Sequence, residues 1–264
     1  MKLGVCCTTR EIPLVRELGF DYIEGNLSAM ATASEEDYRA LTETVEREGF
    51  PVEACNCFFP NDMSLYPTAG RTADDILRTV AAYASRGLSR AAAWGVQIAV
   101  LGSGRVRTIP GGMETDAAAA HFSRILAVCG EAADRHGIRV CIEPLSRNET
   151  NFIHTVAEGA SMARTCGHPA VGVMVDFFHL WANGDELASL PAVGNALMHA
   201  HIARPGDRRA PTVADIETLR AWAHALAACP SVERLSLECV YHPDVPTALR
   251  AALRASTEVL RLFR

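Results

Sequence analysis

The sequence predicts a (β/α)8 barrel, the TIM barrel fold, as a single domain over residues 1–264. Three observations predict it. Short apolar runs of strand length alternate with longer segments of helical period, and the pair recurs eight times. The short runs are nearly continuous in apolar residues, as strands buried on both faces are. Eight such units in 264 residues suit a parallel sheet that closes on itself. An open, doubly wound sheet is the competing arrangement. No Gly-x-Gly-x-x-Gly follows the first strand, which argues against a dinucleotide site of that kind.

Residues 3–7 form the first strand. Ile12, Val15 and Leu18 then recur at helical spacing, and Gly19 closes that helix as a C-terminal glycine does. Residues 22–27 are the second strand. Ser34 followed by Glu35, Glu36 and Asp37 opens a helix, with a hydroxyl cap and acids where the helix dipole favours them. That helix runs to Glu48-Gly49. The third strand, 52–58, leads into a loop rich in Pro, Asn and Gly and then a helix over 72–87. The fourth strand, 97–101, ends at Gly102-Ser103-Gly104, which serves either as a tight turn or as a close backbone approach to a ligand. A long helix follows over 115–136. The second half repeats the rhythm: strands at 139–144, 171–176, 197–203 and 234–239, with helices at 155–166, 184–189, 212–228 and 245–263.

Composition excludes several classes. The chain is 49% hydrophobic and carries a net charge of −6, and its longest basic cluster is Arg208-Arg209. An acidic surface repels phosphate backbones, so no nucleic-acid partner is expected. No run of about 18 apolar residues exists to span a bilayer, and the first residues lack the features of a signal peptide. The nine cysteines are scattered through apolar runs, which fits buried free thiols and a cytoplasmic location. Cys55-Asn56-Cys57 lacks the spacing and the partner pair of a zinc knuckle.

In a barrel the reactive groups sit at the C-terminal ends of the strands. Four metal-ligand side chains fall there on strands five to eight. They are Glu143 in Ile142-Glu143-Pro144, Asp176 in Val175-Asp176-Phe177-Phe178-His179, His201 in His199-Ala200-His201-Ile202 and Glu238 in Leu237-Glu238-Cys239. Any one carboxylate at a strand end is more often a hydrogen-bonded loop anchor than a metal ligand. Four at successive strand ends need a common partner, because charged groups rarely enter such positions alone. One divalent cation serves, since two Glu, one Asp and one His leave open positions on a hard ion. Glu149, six residues past Glu143, and His179, one turn past Asp176, are candidates for holding substrate hydroxyls, as are Arg208 and Arg209. The alternative for each is ordinary loop charge. His199 is expected on the opposite side of its strand from His201, as a packed or supporting residue. Trp94, Trp181 and Trp222 are expected in core or loop packing, and Phe58 and Phe59 in the core or on an apolar pocket wall.

On these residues the chain resembles the sugar isomerase/epimerase superfamily of xylose isomerase-like barrels, in particular the ketose 3-epimerases (tagatose/psicose type) and the hydroxypyruvate isomerases. The likeness covers nearly the whole chain and includes Gly19-Phe20-Asp21-Tyr22-Ile23-Glu24, Gly102-Ser103-Gly104 and the four strand-end segments. It implies one divalent ion, Mn²⁺ or Mg²⁺ and in some members Co²⁺, held by Glu143, Asp176, His201 and Glu238. It implies that Glu143 and Glu238 are catalytic and exchange a proton at carbon 3 of a ketose, one from each face. It implies that Glu149, His179 and Arg208 bind a small sugar, and that the protein forms dimers or tetramers.

The chemistry suits the residues. A proton beside a carbonyl is too weakly acidic for a free carboxylate, and a cation on the neighbouring oxygens offsets the charge that develops. Two bases on opposite faces allow removal on one side and return on the other. A single base with proton shuttling would favour aldose–ketose isomerisation. The chain departs from many members at Arg204, which stands where they carry an acid three residues past the metal-binding His. Arg204, Arg208 and Arg209 could together accept a carboxylate or phosphate, so an acidic or phosphorylated substrate is also compatible. The same site would serve a hydroxypyruvate isomerase or an inosose-type dehydratase. An endonuclease of this barrel type would need more His ligands and a basic groove, and a non-catalytic sugar-binding barrel would not need both Glu143 and Glu238.

Overall fold

The computed structural model describes residues 1–260. Eight parallel strands close into a barrel in chain order: β1 Lys2–Cys6, β2 Tyr22–Asn26, β3 Val52–Asn56, β4 Ile98–Leu101, β5 Arg139–Ile142, β6 Val171–Asp176, β7 Leu197–Ile202 and β8 Arg234–Leu237. β8 returns to β1 with Lys2 opposite Arg234 and Val5 opposite Leu237, so the sheet has no open edge. The doubly wound alternative is thereby excluded.

The helices are α1 Ile12–Glu17, α2 Leu27–Thr32, α3 Glu35–Glu48, α4 Ala73–Ala93, α5 Gly104–Arg107, α6 Thr115–Asp134, α7 Val156–Cys166, α8 Phe177–Asn183, α9 Ile216–Ala227 and α10 Val245–Leu260. The expected part of the last helix at 261–263 lies outside the described residues. Ser34 caps α3 as expected, accepting the N–H of Asp37. Thr72 and Thr155 form reciprocal capping boxes with Asp75 and Glu158.

Several elements differ from expectation, among them the short α5, which forms where a turn was expected. α4 runs through Gly87 instead of stopping there. A Cβ on Gly87 would lie 3.0 Å from that of Ala31, so this glycine permits close packing of α4 on α2. α2 and α8 begin at the last residues of β2 and β6, with no intervening loop. Asn26 caps α2 through the N–H of Ala29, and Asp176 caps α8 through the N–H groups of Phe178 and His179. The helix expected at 184–189 is displaced accordingly: α8 ends at Gly184, φ 71°, and a 3-10 segment follows over Leu187–Ala196.

A large apolar cluster packs the sheet against the helices, and a smaller one, including Tyr22, Ile98, Met174 and Met198, fills the barrel. Below it, at the N-terminal end, buried Arg234 donates from Nε to Glu53 (3.1 Å) and from Nη2 to Gln97 (2.9 Å). None of the nine cysteines is paired. No described helix is long and apolar enough to cross a membrane.

Candidate metal centre and active site

Each of the four strand-end residues is placed by its own strand. The N–H of Glu143 continues the sheet by donating to the carbonyl of Leu101, and that of Glu238 donates to Ile202. Asp176 ends β6. Its Oδ1 is taken by the cap of α8 (2.7 Å to Phe178 N), and Oδ2 faces inward, where Arg208 Nη2 reaches it at 3.4 Å. His201 lies in β7, fully buried, with Nδ1 3.7 Å from Glu143 Oε1 and 3.6 Å from Glu238 Oε2. One ligand atom from each of the four lies within 4.8 Å of all the others.

The donor set fits a cation. Glu143 Oε1 and His201 Nδ1 are buried and have no hydrogen-bond partner. Leaving such an atom unmet costs about 1–3 kcal/mol, so two aimed at one point, beside two more carboxylates, mark a place for positive charge. Gly102 makes the room: a Cβ there would lie 2.1 Å from Glu143 Oε2.

The charges respond to this crowding. Burial, then Glu143 and Glu238, push the carboxyl of Asp176 well above its ordinary value. Burial and Glu238 likewise raise Glu143. Burial would raise Glu238 too, but His201 and Arg208 outweigh it and hold that carboxyl below the usual range. A divalent ion among the three would stabilise all of them in the ionised form.

A second set faces the same space. His179 Nδ1 accepts the N–H of Ser146 (3.2 Å). Burial and Arg208 hold the ring's pKa down to about 3, so it is neutral and carries its proton on Nε2. That N–H is buried and unpartnered, 3.8 Å from Glu149 Oε1 and 3.6 Å from Asp176 Oδ2. It is a donor awaiting an oxygen, which is what a substrate hydroxyl supplies. Arg208 reaches inward, bonding Glu149 (3.3 Å), Asp176 (3.4 Å) and Glu238, with its guanidinium 5.1 Å above the ring of Phe178. A cavity of about 280 Å³ opens over these groups, walled by Asn26, Ser28, Phe59 and Asn61 among others. Three of its lining residues, Cys57, Ser103 and Arg208, hold left-handed backbone at φ 49°, 43° and 54°. Strain of this kind, about 1–3 kcal/mol per residue, collects at sites that need a fixed geometry.

All seven residues singled out from the sequence therefore come together at one place: Glu143, Glu149, Arg208 and Glu238 line the cavity, and Asp176, His179 and His201 lie within 4.0 Å of one or more of them. Three expectations are corrected. His199 does not face away from His201: residues two apart on a strand share a face, and both rings reach Glu24, Nε2 to carboxylate oxygen 2.9 Å in each case. The arginines do not cluster. Arg204 donates from Nε to Asp207 (2.9 Å) and Arg209 lies 3.6 Å from the same carboxylate, so only Arg208 enters the site. Trp181, at 50% exposed, does not pack in the core. The sequence reading missed the roles of Glu24, Ser236 and Asn56, whose Nδ2 donates to Glu238 Oε1 (3.0 Å). The available signal was a glutamate inside a buried apolar strand, Tyr22-Ile23-Glu24. Arg107 was also missed. It is fully buried and donates to the carbonyls of Leu101 (3.4 Å) and Ile153 (3.3 Å).

A closed (β/α)8 barrel with three carboxylates and an imidazole converging at its C-terminal mouth defines the class of protein. Residues 12–261 match the xylose isomerase-like TIM barrel family, and the chain belongs to that family. D-psicose 3-epimerase of Agrobacterium fabrum is 36% identical over 76 residues, 28% of this chain and 26% of that protein. The aligned segment thus spans only about a quarter of that relative. 3-Dehydro-D-guloside 4-epimerase of Escherichia coli is 28% identical over 220 residues, 78% of this chain and 80% of the other. A crystal structure of D-psicose 3-epimerase in the presence of D-fructose has the same fold, with a TM-score of 0.80 at 19% identity over 98% of both chains.

Proposed function

We propose that this protein is a divalent-metal-dependent epimerase of an uncharged ketose or keto-sugar, moving a proton on a carbon beside the carbonyl. The observation that carries this reading is the convergence of Glu143, Asp176, His201 and Glu238 within 4.8 Å, with buried, unpartnered ligand atoms on Glu143 and His201. Three carboxylates and one imidazole suit Mn²⁺ or Mg²⁺, with Co²⁺ also accommodated. When bound, the ion polarises the substrate's carbonyl and adjacent hydroxyl and offsets the negative charge that builds as the proton leaves.

The chain's own groups do the rest. β5 and β8, which carry Glu143 and Glu238 at their ends, stand three strands apart in the closed barrel. The two carboxylates thus approach a substrate from different walls, one to take a proton and the other to return it. His179 offers its Nε2–H to a hydroxyl, and Glu149 accepts from one. Arg208 binds a substrate oxygen while it restrains both Glu149 and Glu238.

Charge selects the substrate class. Among the described lining residues Arg208 is the one strong cation, and it already faces three carboxylates. Even with a divalent ion bound, the four carboxylates of Glu143, Glu149, Asp176 and Glu238 outweigh the ion and Arg208 together. A phosphate or carboxylate would therefore meet more repulsion than attraction, and Arg204 and Arg209 are engaged by Asp207. The relatives that act on free or glycosidic keto-sugars agree with an uncharged substrate. The unpaired cysteines fit a reducing cytoplasm.

The test is product analysis with Mn²⁺ on matched pairs: D-psicose and D-tagatose, a 3-keto-glycoside, and the corresponding ketose phosphates. An epimer from an uncharged sugar supports the reading. Turnover of phosphates alone overturns the substrate class, and an isomerised or dehydrated product overturns the reaction.

A further inference from the structure

Beneath the candidate centre the barrel holds a second buried polar cluster. Glu24 on β2 is 1% exposed, and two imidazoles share it. Oε1 lies 2.9 Å from His201 Nε2, and Oε2 lies 2.9 Å from His199 Nε2. Ser236 on β8 donates its hydroxyl to the same Oε2. The Tyr22 hydroxyl, 2.8 Å from Ser236 Oγ, is then the donor to that oxygen, because a serine hydroxyl has one proton to give.

The proton count fixes the rest. An ionised carboxylate only accepts, so each imidazole presents an N–H at Nε2. A neutral imidazole protonated at Nε2 carries its lone pair on Nδ1. In His201 that is the atom facing Glu143 and Glu238.

We propose that Glu24 is a positioning residue that holds His201 in the Nε2–H tautomer, so that the Nδ1 lone pair faces the cation. His199, Ser236 and Tyr22 act through it, by making Oε2 the two-donor oxygen and Oε1 the one-donor oxygen. This inference rests on the cation site proposed above. Carboxylates behind metal-bound histidines orient them in this way, and their loss weakens metal binding about ten- to hundredfold.

The asymmetry gives a specific test. In Glu24→Gln the amide oxygen settles where two donors point, at the Oε2 position. The amide NH2 then points at His201 Nε2, and two N–H groups cannot face each other. His201 must shift its proton to Nδ1, which turns an N–H toward the cation. Ser236→Ala in the same chain leaves one donor on each side. The amide can then flip, because His199 Nδ1 has no hydrogen-bond partner and is free to take the proton. Ser236→Ala should therefore weaken Mn²⁺ binding about threefold in the wild type, yet strengthen it about tenfold in Glu24→Gln. A merely structural role would give two losses that add.

The measurements are ¹⁵N spectra of labelled histidine in the metal-free, full-length protein and Mn²⁺ titration by calorimetry. The spectra are taken at a pH high enough to leave His201 neutral, because burial would lower its pKa but Glu24 and Glu238 outweigh burial and push it well up. The expected result is Nε2–H for His201 in the wild type, Nδ1–H in Glu24→Gln with about a hundredfold weaker Mn²⁺ binding, and partial return in the double variant. Wild-type tautomer and affinity in Glu24→Gln would overturn the proposal, as would a further loss in the double variant. If Glu24→Gln does not fold, Ser236→Ala alone decides, and unchanged Mn²⁺ affinity overturns the proposal. Neither readout depends on turnover, so a wrong substrate assignment leaves the proposal standing. A wild type that binds no divalent cation overturns both.

Discussion

Adding a single methyl group at Gly102 probes whether Glu143 must sit where it does. The new Cβ would lie 2.1 Å from Glu143 Oε2 and 3.3 Å from its Cδ. An ordinary carbon–oxygen contact is about 3.3 Å or more, so the carboxylate must retreat by about 1 Å. The backbone at Gly102 is not left-handed, so alanine adopts it without strain. The obstructing atom is the end of a flexible side chain, so the fold survives with a loss of about 1–3 kcal/mol at most. The cost falls on the ligand. A cation-binding oxygen moved by about 1 Å should weaken binding ten- to hundredfold, or about 1.4–2.7 kcal/mol. A comparable displacement slows chemistry by about a hundredfold. Calorimetric titration with Mn²⁺, beside melting curves with and without the ion, reads both effects. Gly111→Ala is the control, since nothing lies within 4 Å of its added Cβ. Wild-type Mn²⁺ affinity in Gly102→Ala would refute the placement of Glu143 as a ligand.

Glu143→Gln and Glu238→Gln should each fold normally and lose activity by about a thousandfold or more, consistent with loss of an acid–base group. Circular dichroism and turnover on the same preparations check this, and a fully active variant sinks the two-glutamate scheme. His179→Ala should raise KM about tenfold or more while leaving Mn²⁺ affinity near wild type, because its Nε2–H faces substrate space and is not a lone pair. An unchanged KM counts against that role. Acidification should weaken metal binding. Asp176 and Glu143 lie above their ordinary values in the metal-free protein, so they retain protons beyond the usual carboxylate range and must release them to a cation. Titrations at pH about 7.5 and about 5.5, in buffers of different ionisation heat, should show weaker binding at the lower pH and proton release. Equal affinity at both would contradict the assignment.

Much of this site was legible in the sequence for a local reason. A charged residue closing an apolar run, as at Ile142-Glu143 or Leu237-Glu238, needs no partner to be noticed. What stayed hidden depends on distant partners. Glu24 meets His199, His201 and Ser236 across 175, 177 and 212 residues, and Asn56 meets Glu238 across 182. No spacing rule links them. α2 and α8 were obscured because Asn26 and Asp176 end a strand and cap a helix at the same position, so the apolar residues that follow read as either element. The apparent arginine cluster was a misreading of a different kind. Asp207, in the same short loop, takes up Arg204 and Arg209 and leaves Arg208 alone to turn inward.

The proposed reaction is metal-dependent proton exchange beside a carbonyl, carried out by Glu143 and Glu238. Incubation in D₂O with an uncharged ketose, with Mn²⁺ and then with chelator, tests it most directly. Deuterium should appear at the epimerised carbon only with the ion present, and at about a thousandfold lower rate in Glu143→Gln or Glu238→Gln. Label that persists after chelation would rule out a metal-dependent step, and no label from any keto-sugar by a protein with bound metal would rule out proton exchange by Glu143 and Glu238.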